Sequence, residues 1–210
     1  MAETSEVKRR GRPPKQIDGY QDAKVALIRA GLAIMTEKGF SASGLDEILR
    51  SVGVPKGSFY HYFKSKEDFG STLIETYGEA FSAKLDKFLL DEAYSPLDRF
   101  FYLIENLRKY MVKHDFQRGC LIGNLGQEMG ALPTTFRQQL IDVFENWQKK
   151  TTICFKEAQQ QGEISADLDC AELARFFWVG WEGAILRAKL ERNASALDNF
   201  TELFLRSLKK

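Results

Sequence analysis

The chain has 210 residues, 44% hydrophobic and 28% charged, with a net charge of +1. That is ample for a real core in one domain or two small ones, and too balanced for a chain that is basic all over, so any basic surface must be local. Three cysteines without paired spacing (Cys120, Cys154, Cys170), two histidines, no secretory leader and no apolar run of membrane length argue against a disulfide framework, a metal cluster and a membrane span; reduced thiols in a cytoplasm are expected.

Residues 1 to 20 are polar and lack apolar periodicity, which predicts an arm ahead of the first domain. Within it, Lys8-Arg9-Arg10-Gly11-Arg12-Pro13-Pro14-Lys15 holds five positive charges and no acid. Arg-Gly-Arg-Pro resembles the core of an AT-hook, in which arginines enter a narrow, strongly negative A·T-rich minor groove. Arg9, Arg10 and Arg12 are the candidates; the alternative is a solubilising tail. A first helix is expected over 22–38, burying Val25, Ile28, Leu32 and Met35, with Gly39 ending it.

The stretch from Ser43 to Glu67 predicts two short helices, a tight turn between them and the start of a long third helix. Leu45, Ile48, Leu49 and Val52 share one face of the first, and Gly53 supplies the turn. Pro55 suits a first turn. The second helix, 56–63, carries Lys56, Ser58, Tyr60 and His61 among Phe59, Tyr62 and Phe63. An aromatic packed side with a basic, hydroxyl-bearing outer side suits a DNA major groove. Ser65 is the expected cap of the next helix. Ser43 and Lys66, at helix starts, are candidate phosphate clamps.

These residues resemble the tetracycline-repressor (TetR) family of transcription regulators. The pattern is Gly39-Phe40, then Val52-Gly53-Val54, then Lys56-Gly57-Ser58-Phe59-Tyr60-His61-Tyr62-Phe63 running into Ser65-Lys66-Glu67. Pro55 departs from it, standing where many relatives cap the recognition helix with Ser or Thr. The resemblance implies an all-α chain of about nine helices. A helix-turn-helix DNA-binding domain would span 21–66 and a ligand-sensing and dimerisation domain 67–210.

Beyond 65, apolar spacing predicts a helix to about residue 91. Ser95-Pro96 then begin another, reaching about Lys113. The run 114–133 contains Gly119, Gly123, Gly126 and Gly130, so its helix is expected to be marginal; each interior Gly costs about 1 kcal/mol relative to Ala. Cys120 should open that helix, where the positive helix end and nearby Arg118 favour the reactive thiolate. The alternative is an inert buried thiol. Arg118-Gly119-Cys120-Leu121, the run to Pro133 and the segment Gly180 to Lys189 resemble the electrophile-sensing branch of the family, the N-ethylmaleimide-responsive and acrylate-utilisation repressors. That resemblance implies a repressor released from DNA when a small unsaturated compound, aldehyde or quinone occupies or alkylates the regulatory domain.

Further helices are expected over about 134–161, 168–192 and 194–208. Cys154 reads as core and Cys170 as a surface or boundary residue. The 168–192 helix is apolar nearly all round, and Gly180, Gly183, Ala184 and Ala188 would admit a partner helix; with the last helix it is the candidate homodimer interface. Tyr110, Asn124, Gln127, Trp147, Trp178 and Glu182, with Cys120, are the candidate effector residues. Partners are therefore an inverted-repeat DNA operator, a small effector and a second copy, with no cofactor, metal or membrane. A cysteine-dependent enzyme would need His114 as base and lacks a third orienting group; an architectural protein would leave the apolar half without a role.

Overall fold

A computed structural model of the chain describes residues 17–208, with side chains from residue 22. The basic arm carrying Arg9, Arg10 and Arg12 lies outside the described residues. All regular structure among those described is helical: α1 Ile17–Lys38, α2 Leu45–Ser51, α3 Lys56–Phe59, α4 Lys66–Leu89, α5 Pro96–Lys113, α6 Leu121–Gln127, α7 Thr135–Gln160, α8 Cys170–Glu191 and α9 Ser195–Ser207.

The boundaries follow local chemistry. Gly39 ends α1 in the left-handed region at φ +81°, where an L side chain is strained. Ser65 caps α4 by accepting from Asp68 N at 3.0 Å, and Ser95 caps α5 through Asp98 N with Pro96 in the first turn. Ser43, however, does not open α2: Gly44 takes the N-cap position.

α1, α2 and α3 close over one aromatic knot. Phe59 packs at 5.2 Å from Phe63 and 5.5 Å from Phe69, and Phe63 lies 4.7 Å from Phe69. All three rings are buried, which ties the short α3 to the start of α4. Within α1, Met35 is buried as expected and Ile28 and Leu32 pack partly buried against the core, while Leu27 is buried in place of the exposed Val25.

The C-terminal part layers α4, α5, α7, α8 and α9 around a second aromatic core. Phe100, Phe155, Phe177 and Phe204 interlock there, all fully or almost fully buried. Arg99 is buried and satisfied, bonding Tyr94 O at 2.8 Å and Glu157 Oε2 at 2.8 Å. Cys154 is core as expected, its thiol donating to Pro96 O. Cys170 is also buried, at the first turn of α8, rather than at the surface. Gly180 faces α9, where a Cβ would collide with Phe200, and Ala184 and Ala188 are buried within the chain. These three small residues therefore serve internal packing; Gly183 alone of the four is exposed, with open space around it.

Candidate nucleic-acid interface and effector cavity

The outer side of α3 keeps the character read from the sequence. Lys56, Tyr60 and His61 are exposed and Ser58 is half-buried, while Phe59 beneath them is fully covered. Lys56 pairs with Asp46 at 3.2 Å across two exposed side chains, a pairing too weakly held to keep the ammonium from a phosphate. Ser43 is different: it is 1% exposed and its hydroxyl donates to Gly39 O. Its role is to hold the α1–α2 turn, so its hydroxyl is withdrawn from any phosphate. Lys66 is also turned inward, donating to Phe40 O at 2.7 Å with its ammonium 4.4 Å from the Phe40 ring. Burial lowers its pKa accordingly. The α4 start can still offer backbone N–H groups, but the Lys66 charge is largely spent within the fold.

Deep in the C-terminal part, α4, α5, α8 and the Gly119-Cys120 segment at the head of α6 line a cavity of about 40 Å³. Tyr77, Tyr110, Cys120, Trp178, Trp181 and Glu182 are among its lining residues. A single water needs roughly 10–15 Å³ by this kind of measure, so only a compound of a few heavy atoms fits without displacement. Cys120 is the N-cap of α6, its sulfur accepting from Gly123 N at 3.4 Å. The Glu182 carboxyl rests on the α6 backbone at Gly123, where any Cβ would collide with Oε2. Its Oε1 is cut off from solvent and has no hydrogen-bond partner.

The electrostatics reverse the expectation for Cys120. Burial and then the nearby Glu182 carboxylate push the thiol pKa well up, against the Gly123 N–H and the Tyr77 hydroxyl, which favour the thiolate. Desolvation outweighs the helix end, and Arg118 does not bear on the sulfur. The resting group is therefore the thiol. Burial also raises Glu182, to about 7, and Tyr77 well above its ordinary value.

Tyr110, Trp178 and Glu182 thus lie with Cys120 in the cavity lining. Trp178 has its N–H committed to Thr151 Oγ1 at 3.1 Å and offers only its ring. Trp147 stands behind the wall, 4.3 Å from Phe81 and 5.1 Å from Trp178. Asn124 and Gln127 depart from the expectation. Gln127 is exposed, beside Lys38 and Ser41. Asn124 turns away from the cavity toward the end of α1, donating to Thr36 O at 2.8 Å and Met35 O at 3.3 Å. His114 packs against Tyr110 with tilted rings 4.6 Å apart and is absent from the cavity lining, which leaves it badly placed to serve the thiol as base.

Asn124 belongs to a clasp on the end of α1. Gly119 N donates to Thr36 O at 3.0 Å, and the Lys189 ammonium reaches Thr36 O, Glu37 O and Asn124 Oδ1. One turn beyond Asn124, Glu128 accepts from Phe40 N at 3.0 Å and Ser41 N at 2.8 Å. The last carbonyls of a helix lack partners of their own; here α6 and α8 supply them. Sequence reasoning missed Tyr77, Trp181, Glu128 and Lys189. Nothing in local spacing marks them, since each acquires its role from a distant element.

Comparison with known proteins accords with this geometry. The family model described as "Bacterial regulatory proteins, tetR family" matches residues 27–69, and "Tetracyclin repressor-like, C-terminal domain" matches residues 96–204. The transcriptional regulator AcuR of Cereibacter sphaeroides is 54% identical over 93% of this chain and 89% of its own length. The transcriptional repressor NemR of Escherichia coli is 29% identical over 85% of this chain and 89% of its own. A crystal structure of the regulatory protein TetR from Rhodobacter sphaeroides superposes with a TM-score of 0.86 at 55% identity, covering 88% of this chain and 98% of that one.

Proposed function

This chain belongs to the TetR family of transcriptional regulators, and from that we propose a homodimeric repressor released from its operator by a small electrophile taken up beside Cys120. The observation that carries this reading is the placement of α6. Its cap, Cys120, faces the cavity, while Asn124 within it and Glu128 at its end hold the end of α1 and the turn after it. A compound that alters the seat of Cys120 thereby shifts the helix that fixes the DNA-binding domain. The effector acts only through its difference in affinity for the two placements.

Lys56 and Ser58 on α3, with Tyr60 and His61 in the turn that follows it, would contact bases and phosphates, with Arg9, Arg10 and Arg12 of the arm adding affinity in the minor groove. Two copies would set the α3 segments about 34–36 Å apart, in successive major grooves of an inverted repeat. For the second copy, α8 offers Phe176, Val179, Gly183, Leu186 and Leu190, exposed at alternating steps of three and four residues along one stripe. On α9, which packs against α8, Leu203 is also exposed. An apolar stripe of this regularity is suited to a two-fold helix pair.

The test is an operator-binding titration with the duplex upstream of the gene. Affinity should fall steeply with salt, and acrylamide or a quinone should release the parent protein but not Cys120→Ser, which keeps its DNA affinity. Flat salt dependence would remove the DNA-binding reading. Undiminished release from Cys120→Ser would remove Cys120 as the sensor.

A further inference from the structure

We propose that Glu182 is the base for Cys120, taking the thiol proton as the sulfur adds to the β-carbon of a small α,β-unsaturated carbonyl compound. The inference rests on the reading that Cys120 is the alkylated residue, and it names the group that makes a buried thiol react. The sulfur lone pair forms the S–C bond and the C=C π pair moves toward the carbonyl. The thiol proton passes to the Glu182 carboxylate and is then delivered to the α-carbon. Nothing is oxidised or reduced, and there is no leaving group.

Three observations support it. First, the cavity brings Tyr77 of α4, Cys120 at the head of α6 and Glu182 of α8 to one small enclosed space. Second, the Glu182 carboxyl lies against Gly123, the residue whose N–H reaches the Cys120 sulfur at 3.4 Å; a side chain there would evict it. Third, Oε1 is buried without a hydrogen-bond partner among the described residues, which leaves a carboxyl oxygen beside this space able to accept a proton. The sulfur, as it loses its proton, is met by the Gly123 N–H at 3.4 Å, and the Tyr77 hydroxyl lining the same cavity also favours the thiolate.

The need for a base follows from the thiol. With its pKa pushed well up, Cys120 holds little thiolate at neutral pH, and the thiolate is the nucleophile. Glu182, raised to about 7, is half ionised where a base is most effective. The other titratable groups facing this space are Tyr77 on α4, Tyr110 on α5 and Cys120 itself. Lys84 lies beyond, 5.7 Å from the Tyr110 ring, and Lys189 is held by the carbonyls of α1.

A structural role and a base role for Glu182 predict opposite signs. If the carboxylate only suppresses the thiolate, Glu182→Gln lowers the thiol pKa and Cys120 alkylates faster. If it is the base, Glu182→Gln alkylates more slowly, by about 100-fold at pH 7.5. The experiment follows adduct formation by intact mass with acrylamide, an uncharged probe, from pH 5.5 to pH 9.5, using Cys120→Ser to assign the site. The parent rate should rise with pH and level off above about pH 7, and Glu182→Asp should keep part of it. An equal or faster Glu182→Gln overturns the proposal. So does a parent rate that climbs about tenfold per pH unit beyond pH 9, a result that needs no variant to fold. A parent protein with no adduct on Cys120 overturns the sensing reading beneath it instead.

Discussion

Glu182 carries a second consequence, for stability. Its pKa is raised from 4.5 to about 7, and the first cause is burial. A folded value above the unfolded one means that protonation favours the folded chain. The contribution is fully present below about pH 4.5 and is lost as pH rises through 7. Glu182→Gln, neutral throughout, should match the parent near pH 4.5 and exceed it at pH 8 by up to about 3 kcal/mol. Thermal melts at both values check this; a difference that does not change with pH would contradict it. Cys120 itself shows what a sequence window hides. Its place at the head of a helix was legible from the glycine before it, and the helix end favours a thiolate. The groups that decide the outcome, Glu182 and the burial around it, come from helices far along the chain.

At the scale of elements, α6 is the part whose role exceeds its length. It has seven residues, two of them glycine, so helix propensity does little to hold it. Its position depends on what its side chains grip. Glu128→Ala should leave the cavity untouched and Cys120 alkylated at the parent rate, while costing about 1 kcal/mol for the lost bonds to Phe40 N and Ser41 N. The change in operator affinity on alkylation should shrink. An unchanged response measured by fluorescence anisotropy would show that α6 does not transmit through this contact. Gly39→Ala tests the same junction from the other side. It places a Cβ at φ +81° into Glu128 Oε1 and should cost about 1–3 kcal/mol in a denaturation titration. No loss would contradict the close packing of that turn.

The elements themselves were largely legible, because their boundaries rest on local signals: Gly39, Ser65 and Ser95-Pro96 stop and start helices where the spacing indicated. Errors arose where a residue could serve two faces. Asn124 and Gln127 lie on the predicted glycine-rich helix, but its rotation, which a short marginal helix does not encode, turns them to the DNA-binding domain and to solvent. Gly180 read as a partner-facing residue, and the ring of Phe200 within the same chain fills that place.

For the whole molecule, the α8 stripe is an apolar face that folding of the described residues leaves uncovered. Val179 is 67% exposed and Leu190 is 69% exposed, on the helix whose opposite face carries buried Trp178 and Trp181. Val179→Glu with Leu190→Glu should yield a folded monomer in sedimentation and weaken operator binding by 100-fold or more, about 3 kcal/mol, since each half-site is then read alone. A variant that stays dimeric would place the interface elsewhere. The most direct measurement joins the cavity to the DNA. Parent protein carrying one acrylamide on Cys120, confirmed by intact mass, is titrated onto its operator beside unmodified protein at one salt concentration. The modified protein should bind at least tenfold more weakly, and equal affinity of the two would contradict release through Cys120.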